Sequence, residues 1–177
     1  MSAALLGLII GLTVGIGGAL IVRERRRRQF FRERRTKRIA FPFVGEALSD
    51  RALEASLRLA RAENATLVPV YLVTVPRQMP LDSPMPRECE SALPLLDAIE
   101  HRAAKLNVPV DTRIERGRDN RHALQLLMEH EDYERIVIPA ASNGSDGFAA
   151  DDVAWLLERA PEEVVVLRPA ASAPLAA

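Results

Sequence analysis

Cysteine is nearly absent: Cys89 is the only one in 177 residues, so no intrachain disulfide can form. That suits a reducing compartment and excludes a disulfide-stapled scaffold. No CxxC, HExxH, GxSxG or Walker loop occurs, which removes the usual thiol-redox, metalloprotease, hydrolase and P-loop chemistries. Histidine is scarce too. His101, His122 and His130 fall on expected helices without metal-ligand spacing. Trp155 is the single tryptophan, sits mid-helix, and reads as core or dimer packing. We expect no catalytic residue and no metal site, hence not an enzyme. Net charge is also missing, with 24 basic and 24 acidic residues, but that balance is uneven along the chain.

What the chain has first is a long apolar run. From Ser2 to Val22 no residue is charged, and immediately after it comes RERRRRQFFRERRTKR. At about 1.5 Å per helical residue the run is about 30 Å long, roughly the hydrocarbon thickness of a bilayer. Its charges follow the apolar core rather than precede it, and no polar face interrupts it, so it reads as an uncleaved transmembrane helix over 2–22. The basic flank sets the orientation: N-terminus outside, the rest in the cytoplasm, in the inner (plasma) membrane. Ala3, Gly7, Gly11, Gly15 and Ala19 recur every four residues and place a small-residue stripe along one face, suited to self-association.

The juxtamembrane segment 23–38 holds ten basic and two acidic residues, so the remaining chain is acidic by the same margin of eight. Arg23 to Arg38, with Phe30 and Phe31 set among them, reads as contact with anionic membrane lipid at about 1 kcal/mol per basic residue. A basic run abutting a span is a topology and lipid signal, so no nucleic-acid partner is expected.

Beyond it, apolar strands and amphipathic helices alternate. Arg38–Gly45 reads as a strand, and Ser49 caps a helix carrying Ala52, Leu53, Ser56, Leu57 and Ala60 on one face. Thr66–Val73 is a continuous apolar strand, followed by a proline-rich connection from Thr74 to Glu90 that could serve as a flap. A helix is expected from about Ser91 with Pro94 in its first turn, then a strand over Val108–Glu115. Gly117 turns the chain, and Asp119 or Asn120 caps the next helix. Arg135–Pro139 is a strand; Asp151 or Asp152 caps the last helix; Glu163–Arg168 closes. Five strands alternating with four helices predict an α/β fold with a doubly wound, five-stranded parallel sheet. Ligands of such sheets bind beyond the carboxyl ends of the strands, where the winding reverses. That points to Val44–Ala47, Arg116–Asn120 and Pro139–Asp152. The tail 170–177 has nothing to bury and is expected to be disordered.

Over 39–169 the chain resembles a universal stress protein domain. The resemblance rests on IAFPFVG followed by ALEASLRLA, the Gly117 turn, RIVIPAASNG and DDVAWLLERAPEEVVVLR. It implies a flavodoxin-like sheet of order 3-2-1-4-5 and a homodimer, many members pairing through the last strand. Members that bind ATP carry an Asp ending the first strand and G-x2-G-x9-G-[ST] after the fourth. Here the Asp position is Val44, with Gly45 kept after it. The first signature glycine falls on Pro139, which has no amide proton, and the second on Ser142. The Gly-Ser pair falls on Ala150-Asp151 or Asp151-Asp152. Carboxylates at that helix start put negative charge where phosphate would sit. The resemblance therefore implies a degenerate nucleotide site at Val44, Gly45, Gly117, Pro139, Ser142, Asp151 and Asp152, with no cofactor and ATP excluded. The expected function is a membrane-anchored, non-catalytic regulatory or interaction module with an unidentified protein partner. The alternative is a nucleotide or small-ligand sensor using the same cleft, with the proline-rich flap as lid.

Overall fold

The computed structural model describes residues 37–45, 48–141 and 147–168. The expected span 2–22 with Gly7, Gly11 and Gly15, the basic segment up to Thr36, Ser142 and the tail 170–177 lie outside the described residues. Among the described residues no helix is long and apolar enough to cross a membrane.

The elements run β1 (Arg38–Phe43), α1 (Asp50–Glu63), β2 (Thr66–Thr74), α2 (Pro86–Lys105), β3 (Arg113–Gly117), α3 (Asn120–His130), β4 (Arg135–Pro139), α4 (Ala150–Arg159) and β5 (Glu163–Leu167). The strands form one parallel sheet of order β3-β2-β1-β4-β5. This is the expected flavodoxin-like arrangement. Residues of β1 and β2 alternate between two cores, as period-two side chains must. Phe41, Phe43, Leu67 and Tyr71 pack with Leu53, Leu57, Leu96 and Ile99 of α1 and α2. On the opposite face Ala40, Val68, Val70 and Leu72 pack with Leu124, Leu127 and Leu156 of α3 and α4. Winding therefore reverses at β1 and β4, and the crevice of interest lies between their carboxyl ends.

Two prolines decide where the ladder fails. The Thr66 N–H donates to the Lys37 carbonyl and the Glu134 N–H to the Arg38 carbonyl, so odd-numbered residues of β1 face β2 and even-numbered ones face β4. Pro42 thus turns a nitrogen without a proton towards β4. The β1–β4 register covers only Ile39↔Arg135 and Ala40↔Ile136, after which the strands part. Pro69 does the same to β3. Val110 bridges Leu67, and β3 resumes at Arg113 opposite Val70 in the same register, with the gap opposite Pro69. The strand expected over Val108–Glu115 is therefore a single bridge plus Arg113–Gly117.

The helix expected from Ser91 begins at Pro86 instead, with proline in the first turn where its missing N–H costs nothing. Pro94 consequently lies inside α2, not in its first turn; it and Glu90, whose carbonyl loses a donor, are both exposed. Ser49 caps α1 by accepting the Ala52 N–H, and Asp119 caps α3 by accepting the His122 N–H at 2.9 Å. At the amino ends of the strands Arg38 reaches Asp111 at 2.6 Å and Glu131 at 2.9 Å. Arg113 reaches the same two carboxylates at 3.0 and 2.6 Å. Burial pushes the Asp111 carboxyl up, but its hydrogen bonds to Arg38 and Arg113 and their charges outweigh that and hold it below its ordinary value. Beside this square, burial and then the Glu131 charge push the Tyr133 phenol well up.

Candidate functional site

The crevice between β1 and β4 is filled by the chain itself. Ala140 donates to the Leu167 carbonyl on the β5 side, so the Pro139 carbonyl and the Ala141 N–H face the side that β1 has left. There Phe148 takes both: its N–H donates to the Pro139 carbonyl at 2.8 Å, and its carbonyl accepts the Ala141 N–H at 2.8 Å. Phe148 thus makes a parallel bridge with Ala140, in the lane where the β1–β4 register would have placed Val44. Its ring is fully buried with Ile138, Val153 and Leu156, and Val44 packs half-buried against that cluster. Gly147 permits the approach. It has φ +131°, and a side-chain carbon there would lie 2.6 Å from the Pro139 carbonyl oxygen.

The remaining expected positions surround this plug. Gly45 takes φ +76° just past β1, the left-handed conformation that favours glycine, with nothing within 4 Å of where a side-chain carbon would sit. Gly117 ends β3 hard against α3, where a side-chain carbon would come within 2.4 Å of the Ala123 nitrogen. Neither Asp151 nor Asp152 caps α4, contrary to expectation. Ala149 is the N-cap residue and offers no side-chain acceptor. Asp151 is exposed in the first turn, while Asp152 is mostly covered and points to α3. Its carboxylate accepts Arg121 Nε at 2.8 Å and Asn120 Nδ2 at 3.3 Å. The physical reason is that a carboxylate two residues into a helix reaches a neighbouring cation more readily than its own backbone amides. The dipole still favours it there.

Arg118 controls the proline-rich connection, which now spans only Val75–Met85. Its guanidinium donates to the carbonyls of Pro76 at 2.7 Å, Met79 at 2.8 Å and Val75 at 3.4 Å. His122 Nδ1 accepts the Arg118 N–H at 3.0 Å, fixing the turn that carries it. His130 lies 3.3 Å from Glu115 on the surface, and His101 is exposed. Among the described residues no group of His, Cys, Asp or Glu is placed to hold a metal ion.

Residues 35–173 match the model of the universal stress protein family. The chain belongs to the universal stress protein family. No curated protein sequence matches it. Among solved structures the domain is similar to a universal stress protein family member from Burkholderia pseudomallei, with a TM-score of 0.54 at 21% identity, covering 72% of this chain and 94% of that one. A universal stress protein from Archaeoglobus fulgidus gives a TM-score of 0.55 at 17% identity, over 77% and 97%. A family member from Arabidopsis thaliana with AMP bound gives 0.54 at 14% identity, over 76% and 93%. At these identities the likeness is one of fold.

Within this universal stress domain, sequence reasoning missed Gly147 and Phe148. The available signal was a glycine directly before the only aromatic residue of an otherwise small and polar loop. Arg118 was missed because its role depends on three main-chain carbonyls, which leave no mark in side-chain patterns.

Proposed function

We propose that this universal stress protein is a membrane-anchored, non-catalytic regulatory or interaction module that does not take ATP into its β1–β4 crevice. The observation that carries the reading is the Gly147–Ala149 segment hydrogen-bonded to β4 in that crevice, with the Phe148 ring in the core. Three further features support it. Val44 stands where the resemblance expects an adenine-contacting Asp. Pro139 offers a carbonyl and no amide proton. Asp152 fills the first turn of α4 with a carboxylate and takes up Arg121, a cation that a phosphate there could otherwise draw on. The AMP-bound Arabidopsis relative belongs to the same family, so nucleotide binding is the outcome to test against.

In the same reading the apolar 2–22 segment anchors the chain in the inner membrane with the domain on the cytoplasmic side, and Arg23–Arg38 contacts anionic lipid. Two copies meet through β5, whose outer edge is unpaired among the described residues and which exposes Val166, as α4 exposes Leu157.

The test is thermal unfolding of the full chain in detergent micelles with and without millimolar Mg-ATP or AMP. A ligand present at about a hundred times its dissociation constant would stabilise the fold by about 2.7 kcal/mol. The expected result is no shift in midpoint. A rise of several degrees with either nucleotide overturns the reading.

A further inference from the structure

Among the described residues Arg116 is a cation with no answering group. It makes no ion pair and no side-chain hydrogen bond, it is half-buried, and its Nε is shut off from solvent without an acceptor. Arg38, Arg113 and Arg135 also bury Nε, but each meets carboxylates through its terminal nitrogens. Every other described lysine or arginine without a partner is exposed. Removing a cation from water without a partner is unfavourable, so a half-buried guanidinium left this way calls for an anion from elsewhere.

Its place in the fold says how that anion arrives. β3 is the terminal strand of the sheet. The Gly117 carbonyl accepts the Val75 N–H, so residues 113, 115 and 117 turn their main-chain groups to β2. Ile114 and Arg116 therefore turn theirs outward, along an edge that no described strand covers. Arg116 shares its face of the sheet with Ile114, which packs against the core under α2.

We propose that the β3 edge is a docking strand for an extended segment of a partner protein carrying a Glu or Asp, whose carboxylate closes on the Arg116 guanidinium. The incoming main chain pairs with Ile114 and Arg116. The carboxylate accepts from the two terminal nitrogens, which unlike Nε are open to solvent, in the forked end-on geometry that arginine favours, and Nε–H reports the change in the group's environment. A second copy of this chain fits less well. Laid antiparallel so that both outward residues pair, it puts Ile114 opposite Arg116 and Glu115 against Glu115, which brings no carboxylate and opposes like charges. The site is on the far edge from the crevice, and it stands whether or not nucleotide binds there.

The experiment uses the full chain in detergent micelles, with arginine side chains and backbone amides labelled for NMR and the Arg116 Nε–H resonance assigned through Arg116→Lys. The probes are the peptide acetyl-Thr-Val-Glu-Val-Thr-amide, the same peptide with Gln for Glu, and sodium acetate. The expected result is that the Glu peptide shifts the Arg116 Nε–H and slows hydrogen exchange at the Ile114 and Arg116 amides, while the Gln peptide does neither. No shift at millimolar peptide overturns the proposal. An equal shift with acetate and no slowed exchange also overturns it, because the site then takes small anions and not a strand. Thermal unfolding of Arg116→Met gives a second readout: an unchanged or raised midpoint is expected once an unpaired charge is gone. A clear fall would show that the arginine already has a structural partner and defeats the reasoning.

Discussion

Replacing Gly147 with alanine tests whether the chain holds its own segment in the β1–β4 crevice. With φ +131°, the new side-chain carbon would sit 2.6 Å from the Pro139 oxygen, 2.9 Å from the Ala141 nitrogen and 3.0 Å from the Ala140 carbonyl carbon. All three are main-chain atoms of the β4 extension, so no flexible side chain can give way. The backbone strain for a residue with a side chain is about 1–3 kcal/mol. Moving the segment off β4 also weakens the two hydrogen bonds of Phe148, each worth about 0.5–1.5 kcal/mol. Together these destabilise the domain by about 2–6 kcal/mol, which for its size lowers the midpoint by on the order of 10–20 °C. Gly45→Ala is the control. Its φ of +76° is also left-handed, but nothing lies within 4 Å of the added carbon, so it carries the conformational strain alone. That is about 1–2 kcal/mol. The assay is thermal and urea unfolding of the full chain in micelles, followed by Trp155 fluorescence. Trp155 packs against the same core cluster as Phe148 and reports on it. Equal losses in the two variants, or none at Gly147, would show that the close approach of Gly147 to β4 is not holding the fold and would remove the main support for a closed crevice.

Two further outcomes follow from the charges. Asp111 is held below its ordinary value in the folded state, so its ionised form contributes stability at neutral pH, which is lost as pH falls below the usual carboxylate range through that lowered value. Wild type should lose urea resistance on acidification more steeply than Asp111→Asn, by a modest margin because the side chain is 40% exposed; parallel curves would contradict this. Arg118→Ala should free the Val75–Met85 connection, since three carbonyls lose one shared donor. Trypsin should then cut after the exposed Arg77 faster than in wild type, read by mass of the products, while an unchanged rate would show that the connection is held by other means.

The strands that the sequence makes legible are those buried on both faces, where continuous apolar runs such as Thr66–Val73 leave little choice. Strand order comes with the family resemblance and the right-handed crossovers, and the structure has it. What escapes sequence reasoning is everything that depends on register. Pro42 and Pro69 look alike as prolines within apolar runs. One opens the β1–β4 crevice and the other only nicks the β2–β3 ladder, because their nitrogens happen to face different neighbours. Asp152 reads as a cap because a helix start invites one, yet Arg121 on the adjacent helix competes for it and wins. Phe148 reads as loop because the residues before it are small and polar. Its buried lane exists only after Pro42 has pushed β1 away, and its approach only where Gly147 has no side chain. Pro42 and the adjacent pair Gly147–Phe148, a hundred residues away, thus settle the crevice between them, and each has meaning only once the others are in place.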